Sequence, residues 1–593
     1  MMNLDVMLKQ LEASQLVRPY PEEELAYIFK HALTQDAAYQ SLLQKQRRGI
    51  HARVAQAYEQ IYADRCLDEY AAILAQHYAE AGNDAQALLY SIRAADVAAH
   101  VYATTEAISF YTRALKLAIQ QDRSAPSLEQ ITTLYLKRGR MFELVSQHDQ
   151  ALANYDEMEK LAREWNAPSM ELAALMARAT IYSIPTRQSD RKLAQVLCDH
   201  ALEIARALGD QPAEAKILWN ILLLNSRLNT NYKMAIGYGE QALAIARQLD
   251  LREQTAYLLN DLSLPYAYTG NPEHGIEINL EARQMWRAMN NLPMLSDNLS
   301  YAAMIYIALA QYENAIAASQ EAYQVSLNID NLWGESFSQS WVGQAYRALG
   351  QITPAIAVME ESIRLAAQGF QAPLSFTRAD LGCLYGDLGM VARGIELAEI
   401  AHSEGQKQAK VMKIWTTAQL GHLYLLDGQI ARAESILAET DRNIAPVDQD
   451  SLFGTAIFLT EVELRLAQND SARGIQVCDR LIEYKRAYHL RQSLPDAFHL
   501  KGVALQRQGK IADALACFSD ARAEAEETNA RWILWRILYA LAEIEMQRGN
   551  DDQARALRTQ TREIIAYIVA HTPEEFRTSF LNLRDVRAVM TLD

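Results

Sequence analysis

Residues 341–366, WVGQAYRALGQITPAIAVMEESIRLA, read as two short helices folded against each other with the turn at Gly350. Gly343 and Tyr346 lie seven and four residues before that glycine; Ala355, Met359 and Ser362 lie five, nine and twelve after it. Two helices approach closely only where one of them lacks a bulky side chain, which accounts for the small residues. Tyr346 and Met359 fill the space around the contact, and glycine permits the turn. This register predicts that Ala355 is buried at a helix crossing, with Ala315 in the same place one repeat earlier.

The register recurs as Gly382, Tyr385, Gly389, Gly394 and Ala401, and again as Gly421, Tyr424, Gly428, Ala433 and Thr440. Turn anchors fall at Ser146, Ser189, Thr230, Gly270, Ala310, Gly350, Gly389, Gly428, Asn469, Gly509 and Gly549, spaced 39 to 43 residues apart. A second break sits near each midpoint, at Asp210, Asp250, Asn290, Asp330, Asp450 and Asn529. Each repeat is therefore a helix pair, and the chain an all-α array. At 593 residues a single compact core is implausible, since such cores stop growing near about 250–300 residues. A stacked array escapes that limit because each repeat packs on its neighbours.

Leu381-Gly382-x-x-Tyr385, Leu420-Gly421-x-x-Tyr424 and Gly509-x-Ile511-x-x-Ala514-x-x-x-Phe518-x-x-Ala521 resemble the tetratricopeptide repeat. The resemblance implies a right-handed superhelical solenoid of antiparallel helix pairs whose first helices line a concave groove. The period departs from the common form, which is about 34 residues. Units this long look like the superhelical region of the maltose-regulon transcription activator and related bacterial signalling ATPases. HEAT and armadillo repeats share the longer period but lack the L-G-x-x-Y register.

Residues 1–60 do not follow the register. They read as a short helix Val6–Ser14, two β-like runs at Leu16–Arg18 and Ala26–Phe29, and one long helix with apolar positions from Ala32 to Ala57. This is the order left when a winged-helix domain loses its start. Phe29-Lys-His31 through Tyr39, Arg47-Arg48-x-x-His51-x-x-Val54 and Ala75-x-His77-Tyr78-x-x-Ala81-Gly82 are similar to segments of STAND-type signalling ATPases, many joined to nucleotide cyclases. In that family the segment connects an NTPase module to a C-terminal repeat array. The expected organisation is a partial winged-helix-like segment over 1–60, two compressed repeats and a linker over 61–126, the regular array over 127–570, and an end cap over 571–593.

Charge is 57 basic against 73 acidic residues, net −16, which disfavours generic binding to nucleic acid. Lys45, Arg47, Arg48 and Arg53 form a basic cluster that reads as a solvated helix face. Cys66, Cys198, Cys383, Cys478 and Cys517 are scattered and lack CxxC spacing, which suits buried thiols in a reducing compartment and offers no metal site. No apolar run reaches the length of a membrane span. A cytoplasmic protein is expected, with no membrane contact.

Chemical motifs are sparse. Gly237-Tyr-Gly239-Glu-Gln-Ala242 spells a dinucleotide fingerprint but falls inside a repeat's second helix, where the fingerprint does not function. No G-x-x-x-x-G-K-[ST] phosphate loop is present, so the ATPase chemistry of the resembled family does not carry over. H-E-x-x-H and G-x-S-x-G are absent too, and no catalytic residue, cofactor or metal is expected. One constellation remains. Asn220, Asn260, Ser300 and Ser340 stand ten residues before successive turns, and Tyr257, Phe337, Phe376 and Trp415 thirteen before. Ser340, Gln344 and Arg347 share one helix face. The resemblance turns these positions toward the groove, where they would hold a protein or peptide, with Arg347 and Trp415 foremost and Trp415 partly accessible. The alternative is that the aromatics pack between repeats and the polar ladder is ordinary surface.

The expected function is a non-catalytic regulator or scaffold in bacterial signal transduction, binding a protein or small effector in its groove. Alternatives are the C-terminal part of a STAND ATPase or nucleotide cyclase whose catalytic half is absent, and a transcriptional regulator.

Overall fold

The computed structural model describes residues 4–20, 26–62, 67–120, 127–184, 188–228, 231–368, 371–408, 410–441 and 454–591. Thr230, Asp450 and Cys66 lie outside them. The chain is 84% helical, with 30 helices in repeated antiparallel pairs and one two-stranded sheet among the described residues. It divides into an N-terminal body, Met1–Val145, and a C-terminal body, Ser146–Asp593.

In the N-terminal body the helix Leu4–Ala13 precedes an antiparallel hairpin of Val17–Tyr20 and Ala26–Phe29, with Val17 opposite Phe29. The single long helix expected after it is two helices, Ala32–Gln40 and Gln44–Ile61. The break has a local cause. The Ser41 hydroxyl donates back to the Ala38 carbonyl, and Leu43 takes an extended conformation whose N–H donates to the Gln46 side chain, starting a new helix. Helices Ala71–Ala81, Asp84–His100, Thr104–Gln120 and Leu128–Leu144 follow. Ala55, Leu74, Ala75, Tyr78, Ala87, Tyr90 and Ala94 form a buried centre among Gln44–Ile61, Ala71–Ala81 and Asp84–His100, with Phe110 and Leu117 of Thr104–Gln120 packed against it.

The C-terminal body repeats one helix pair. Leu332–Ala348 pairs with Ile352–Ala366, and Gln371–Asp387 with Val391–Gly405. Turn conformation follows the register closely. Ser146, Gly270, Ala310, Gly350, Gly389, Gly428, Asn469, Gly509 and Gly549 all have left-handed backbone, as do Asp250, Asn290, Asp330 and Asn529 at the second break. Glycine, asparagine and aspartate tolerate that region best. At the break expected at Asp210, the left-handed residue is Gly209, and Asp210 caps the next helix through Ala213 N–H. Ala315 and Ala355 are fully buried. At Gly343 an added Cβ would lie 2.5 Å from Met359, which is the predicted close contact. Gly239 likewise sits against Leu222 and Leu262 inside the Tyr232–Gln248 helix, so the dinucleotide-like spelling is a packing feature.

First helices of consecutive pairs pack directly on one another, as Leu292–Ala308 does on Leu332–Ala348 and Leu332–Ala348 on Gln371–Asp387. They form the inner layer of the array. The array also meets itself. Arg491 and Gln492 N–H groups donate to the Ala308 carbonyl, Asn529 donates to Glu313, and Thr353 N–H donates to the His571 carbonyl. The last two contacts join residues 216 and 218 positions apart, about five repeats, so successive turns of the winding touch. The terminal helices Glu574–Leu581 and Arg584–Thr591 cover more than the last pair. Phe576, Phe580, Val586 and Val589 are buried in one cluster with Ile352, Ala355, Leu381 and Tyr385 from the preceding turn.

Candidate functional site: the inner face of the helix array

The predicted groove residues separate into two places along the inner layer. In the earlier repeats, Asn220 is fully buried, accepts from the Thr180 hydroxyl at 2.8 Å and donates to the Met176 carbonyl at 3.0 Å. Asn260 is also fully buried. It donates to Asp297 at 3.2 Å and accepts from Asn298 at 2.9 Å. These amides fasten each first helix to its neighbour. Ser300 and Ser340 are buried and donate into their own helices, to the Ser296 and Phe337 carbonyls.

Beside this ladder lies a charged and aromatic group that single-residue spacing did not disclose. The buried Asp261 carboxylate accepts from Trp219 Nε1 at 2.7 Å and from Arg227 at 2.7 Å. The Arg227 guanidinium also lies 4.6 Å from the Tyr301 ring centre. Lys216 sits 3.8 Å over Trp219 and 5.3 Å from Tyr257, a cation–π arrangement. Lys216, Arg227, Tyr257 and Asp297 are half-buried rather than enclosed. Arg227 is presented by a π-helical turn, Leu224–Leu228, continuing the Gln211–Leu223 helix. Such single π turns mark an inserted residue and recur at functional sites.

In the later repeats, Gln344, Arg347, Phe376 and Trp415 come together around Asp380, while Phe337 packs instead with Trp333 and Tyr301. Phe337 is half-buried and stacks on Trp333 at 5.4 Å. Phe376 lies between Trp341 and Trp415, at 4.0 and 4.8 Å. Trp415 is not accessible as expected: it is 7% exposed, because the close first-helix layer encloses its ring and its Nε1 donates to Asp380 at 2.8 Å. Gln344 and Gln419 donate to the same carboxylate. Burial raises Asp380 to about 6, opposed by the three N–H donors.

Arg347 pairs with Asp387 and faces the Trp532 ring from the next turn, while Gln492 donates to Gln344. His422 stands between Asp387, at 3.3 Å, and Glu463, at 2.6 Å. Burial opposes the imidazolium charge, but Glu463 and Asp387 beside it lift the ring to about 10. Asp387 is buried as well, yet Arg347 and His422 hold it well below the usual carboxylate range. Cys383 donates to Gln419, and burial keeps the thiol protonated. Arg347, Asp387 and His422 each face an opposite charge, while Cys383 stays neutral. Near neutral pH His422 has no free lone pair to accept a proton and Cys383 is no thiolate, so this network is an ionic clasp between repeats. The sequence signal for it was faint: isolated charges on first helices, each meaningful only against a neighbouring repeat.

Among the described residues, no group of three or more His, Cys, Asp or Glu is arranged to hold a metal ion, and no helix is long and apolar enough to cross a membrane. Between successive turns lies a polar cleft of about 690 Å³, lined by Glu313, Lys485, Arg491, Glu524 and Asn529 among others.

Residues 339–368, the repeat around Gly350, match the tetratricopeptide repeat family model. No curated protein sequence matches the chain significantly. Among solved structures, a Rap protein complexed with competence and sporulation factor is similar at 13% identity, covering 67% of this chain and 97% of that one, with a TM-score of 0.41. A Signal Transduction ATPase with Numerous Domains (STAND) protein with a tetratricopeptide repeat sensor, from Pyrococcus horikoshii, is similar at 17% identity, covering 74% of this chain, with a TM-score of 0.38. The chain spans 60% of that protein's length.

Proposed function

We propose that this chain is a non-catalytic interaction protein of bacterial signal transduction that takes a peptide segment of a protein partner along the inner face of its earlier repeats. The observation that carries this reading is the half-buried group Lys216, Arg227, Tyr257 and Asp297, set on a rigid base of Trp219, Asp261 and interlocked asparagines. Aromatic and arginine side chains on a preorganised base are the usual makings of a recognition hot spot. Arg347 and Trp415 belong to the same inner layer, but Trp532 of a later repeat faces Arg347, and Phe376 and Asp380 of the preceding repeat enclose Trp415, which moves the proposed contact toward the earlier repeats.

A photo-crosslinking amino acid at position 257, compared with one at the exposed Leu280 on a second helix, tests the reading in host cells. The expected result is one discrete adduct at 257, lost when Arg227 and Lys216 are both alanine. Adducts confined to position 280, or indifferent to Arg227 and Lys216, would overturn it.

A second reading makes the chain the C-terminal part of a STAND ATPase or cyclase. It is favoured by the convergence of the N-terminal motif residues Tyr39, Arg47, His51 and His77 into one cluster.

A further inference from the structure

The Gln44–Ile61 helix of the N-terminal body has two faces that ask for a neighbour, and one of them is left open. On the first, Ala55 is fully buried, and His51 and Tyr58 meet His77 of the Ala71–Ala81 helix. The second runs through Leu43, Ile50, Val54, Ala57 and Ile61, at steps of seven, four, three and four residues. That is the spacing of a coiled-coil seam, the stripe one helix offers to another. Leu43 is 71%, Ile50 38% and Ile61 67% exposed; Ala57 is exposed as well, and Val54 is half-buried. Single apolar residues scattered on a surface are ordinary, whereas five in one register form a patch with a direction.

The charge on this helix is uncompensated. It carries Lys45, Arg47, Arg48 and Arg53 against one acid, Glu59, whose carboxylate already accepts from the Tyr78 and Tyr90 hydroxyls. Arg53 donates to the Gly49 carbonyl of its own helix, and Arg47 to the Leu42 carbonyl and to Gln40. Among the described residues, none of the four cations has a carboxylate within ion-pair distance. In the repeats, by contrast, Arg163 sits between Glu159 and Glu171, and Arg491 between Glu524 and Glu527. By helical count Arg47 falls within the open seam and Arg53 along its edge.

We infer that the Leu43–Ile61 seam docks an acidic amphipathic helix of a partner protein, whose apolar residues meet the seam and whose aspartates or glutamates meet Arg47 and Arg53. Charges in and beside such a seam set partner choice more than affinity. A second copy of the chain does not suit it. Paired in parallel, Arg47 meets Arg47 within the seam. Paired antiparallel, with Leu43 opposite Ile61 and Ile50 opposite Val54, Arg53 meets Arg53. Either arrangement sets like charges together, which selects against it. A lipid surface suits it less as well, because the Ala71–Ala81 helix holds the other face and a chain of net −16 is repelled by anionic headgroups.

Fluorescence anisotropy with a labelled three-heptad helical peptide, leucine at its seam positions and glutamate on both flanks, tests this against the full chain. A twin peptide carries lysine on the flanks instead. The chain should bind the glutamate peptide about tenfold more tightly than the lysine peptide. Leu43→Ser together with Ile61→Ser should weaken the glutamate peptide about tenfold and leave the circular dichroism unchanged. Arg53→Glu should reduce or reverse the preference between the two peptides, a change that a folding defect does not produce. Equal affinity for both peptides, no binding of either at about 1 mM, or a preference untouched by Arg53→Glu would each overturn the docking site. So would self-association of the chain, or its sedimentation with phosphatidylglycerol vesicles, that the Leu43→Ser, Ile61→Ser double variant abolishes.

Discussion

At the scale of single residues, the array holds two groups, His422 on a first helix and Lys485 on a second, with opposite effects over one pH range. His422 is raised from 6.5 to about 10 because Glu463 and Asp387 outweigh its burial. Lys485 is fully buried, its Nζ has no hydrogen-bond partner among the described residues, and burial lowers it from 10.5 to about 7. Stability rises with pH where the unfolded chain binds more protons than the folded one. Between pH 6.5 and about 10 the folded chain keeps the His422 proton that the unfolded chain loses, so this residue's contribution falls. Between about pH 7 and 10.5 the unfolded chain keeps the Lys485 proton that the folded chain lacks, so that contribution rises. The two slopes, each up to about 1.4 kcal/mol per pH unit, oppose one another. Denaturant unfolding from pH 7 to about 8, below the range where the four buried thiols with raised values add a falling slope of their own, should therefore be nearly flat for the wild type, should rise for His422→Gln and should fall for Lys485→Met. Matching slopes in both variants would contradict the assignments.

At the scale of elements, the turn between helices is set locally, but its tolerance is not. Gly428 and Gly389 both have left-handed backbone, with φ of +73° and +88°. A Cβ at Gly428 meets open space, whereas one at Gly389 lies 2.9 Å from the Ser579 carbonyl of the next turn. Gly428→Ala should cost about 1–2 kcal/mol, the strain of a left-handed L-residue. Gly389→Ala adds a backbone clash to that strain and should cost about 3 kcal/mol or more, read from the urea midpoints of the two variants. The register that identifies both glycines is plain in the sequence because each repeat states it again. Nothing near Gly389 in the chain announces Ser579.

At the scale of the whole array, the terminal helices bind two turns together. Phe580 is fully buried, 5.9 Å from the Trp532 ring centre, and shares a cluster with Ile352, Leu381 and Tyr385. Phe580→Ala should cost about 3–5 kcal/mol. Its signature is spatial: hydrogen exchange should quicken in residues 352–388 as well as in 531–570. A simple end cap, covering only the last pair, would loosen the latter alone.

The helix pairs, their turns and the buried alanines of the register were determined by the sequence itself. Each rests on contacts within a repeat or with the next one, and such contacts recur at a fixed spacing that can be counted. Which inner-face residues stay open was decided only in three dimensions. Trp415 and Arg347 occupy groove positions by count, yet Trp415 is closed in by Phe376 and Asp380, and Arg347 is met by Trp532. The long helix expected after Ala32 broke for a related reason, since one serine hydroxyl and one glutamine side chain outweighed the apolar periodicity. Periodicity reports the face a residue takes on its helix. What then covers that face depends on the small rotation from each repeat to the next, summed over about five of them.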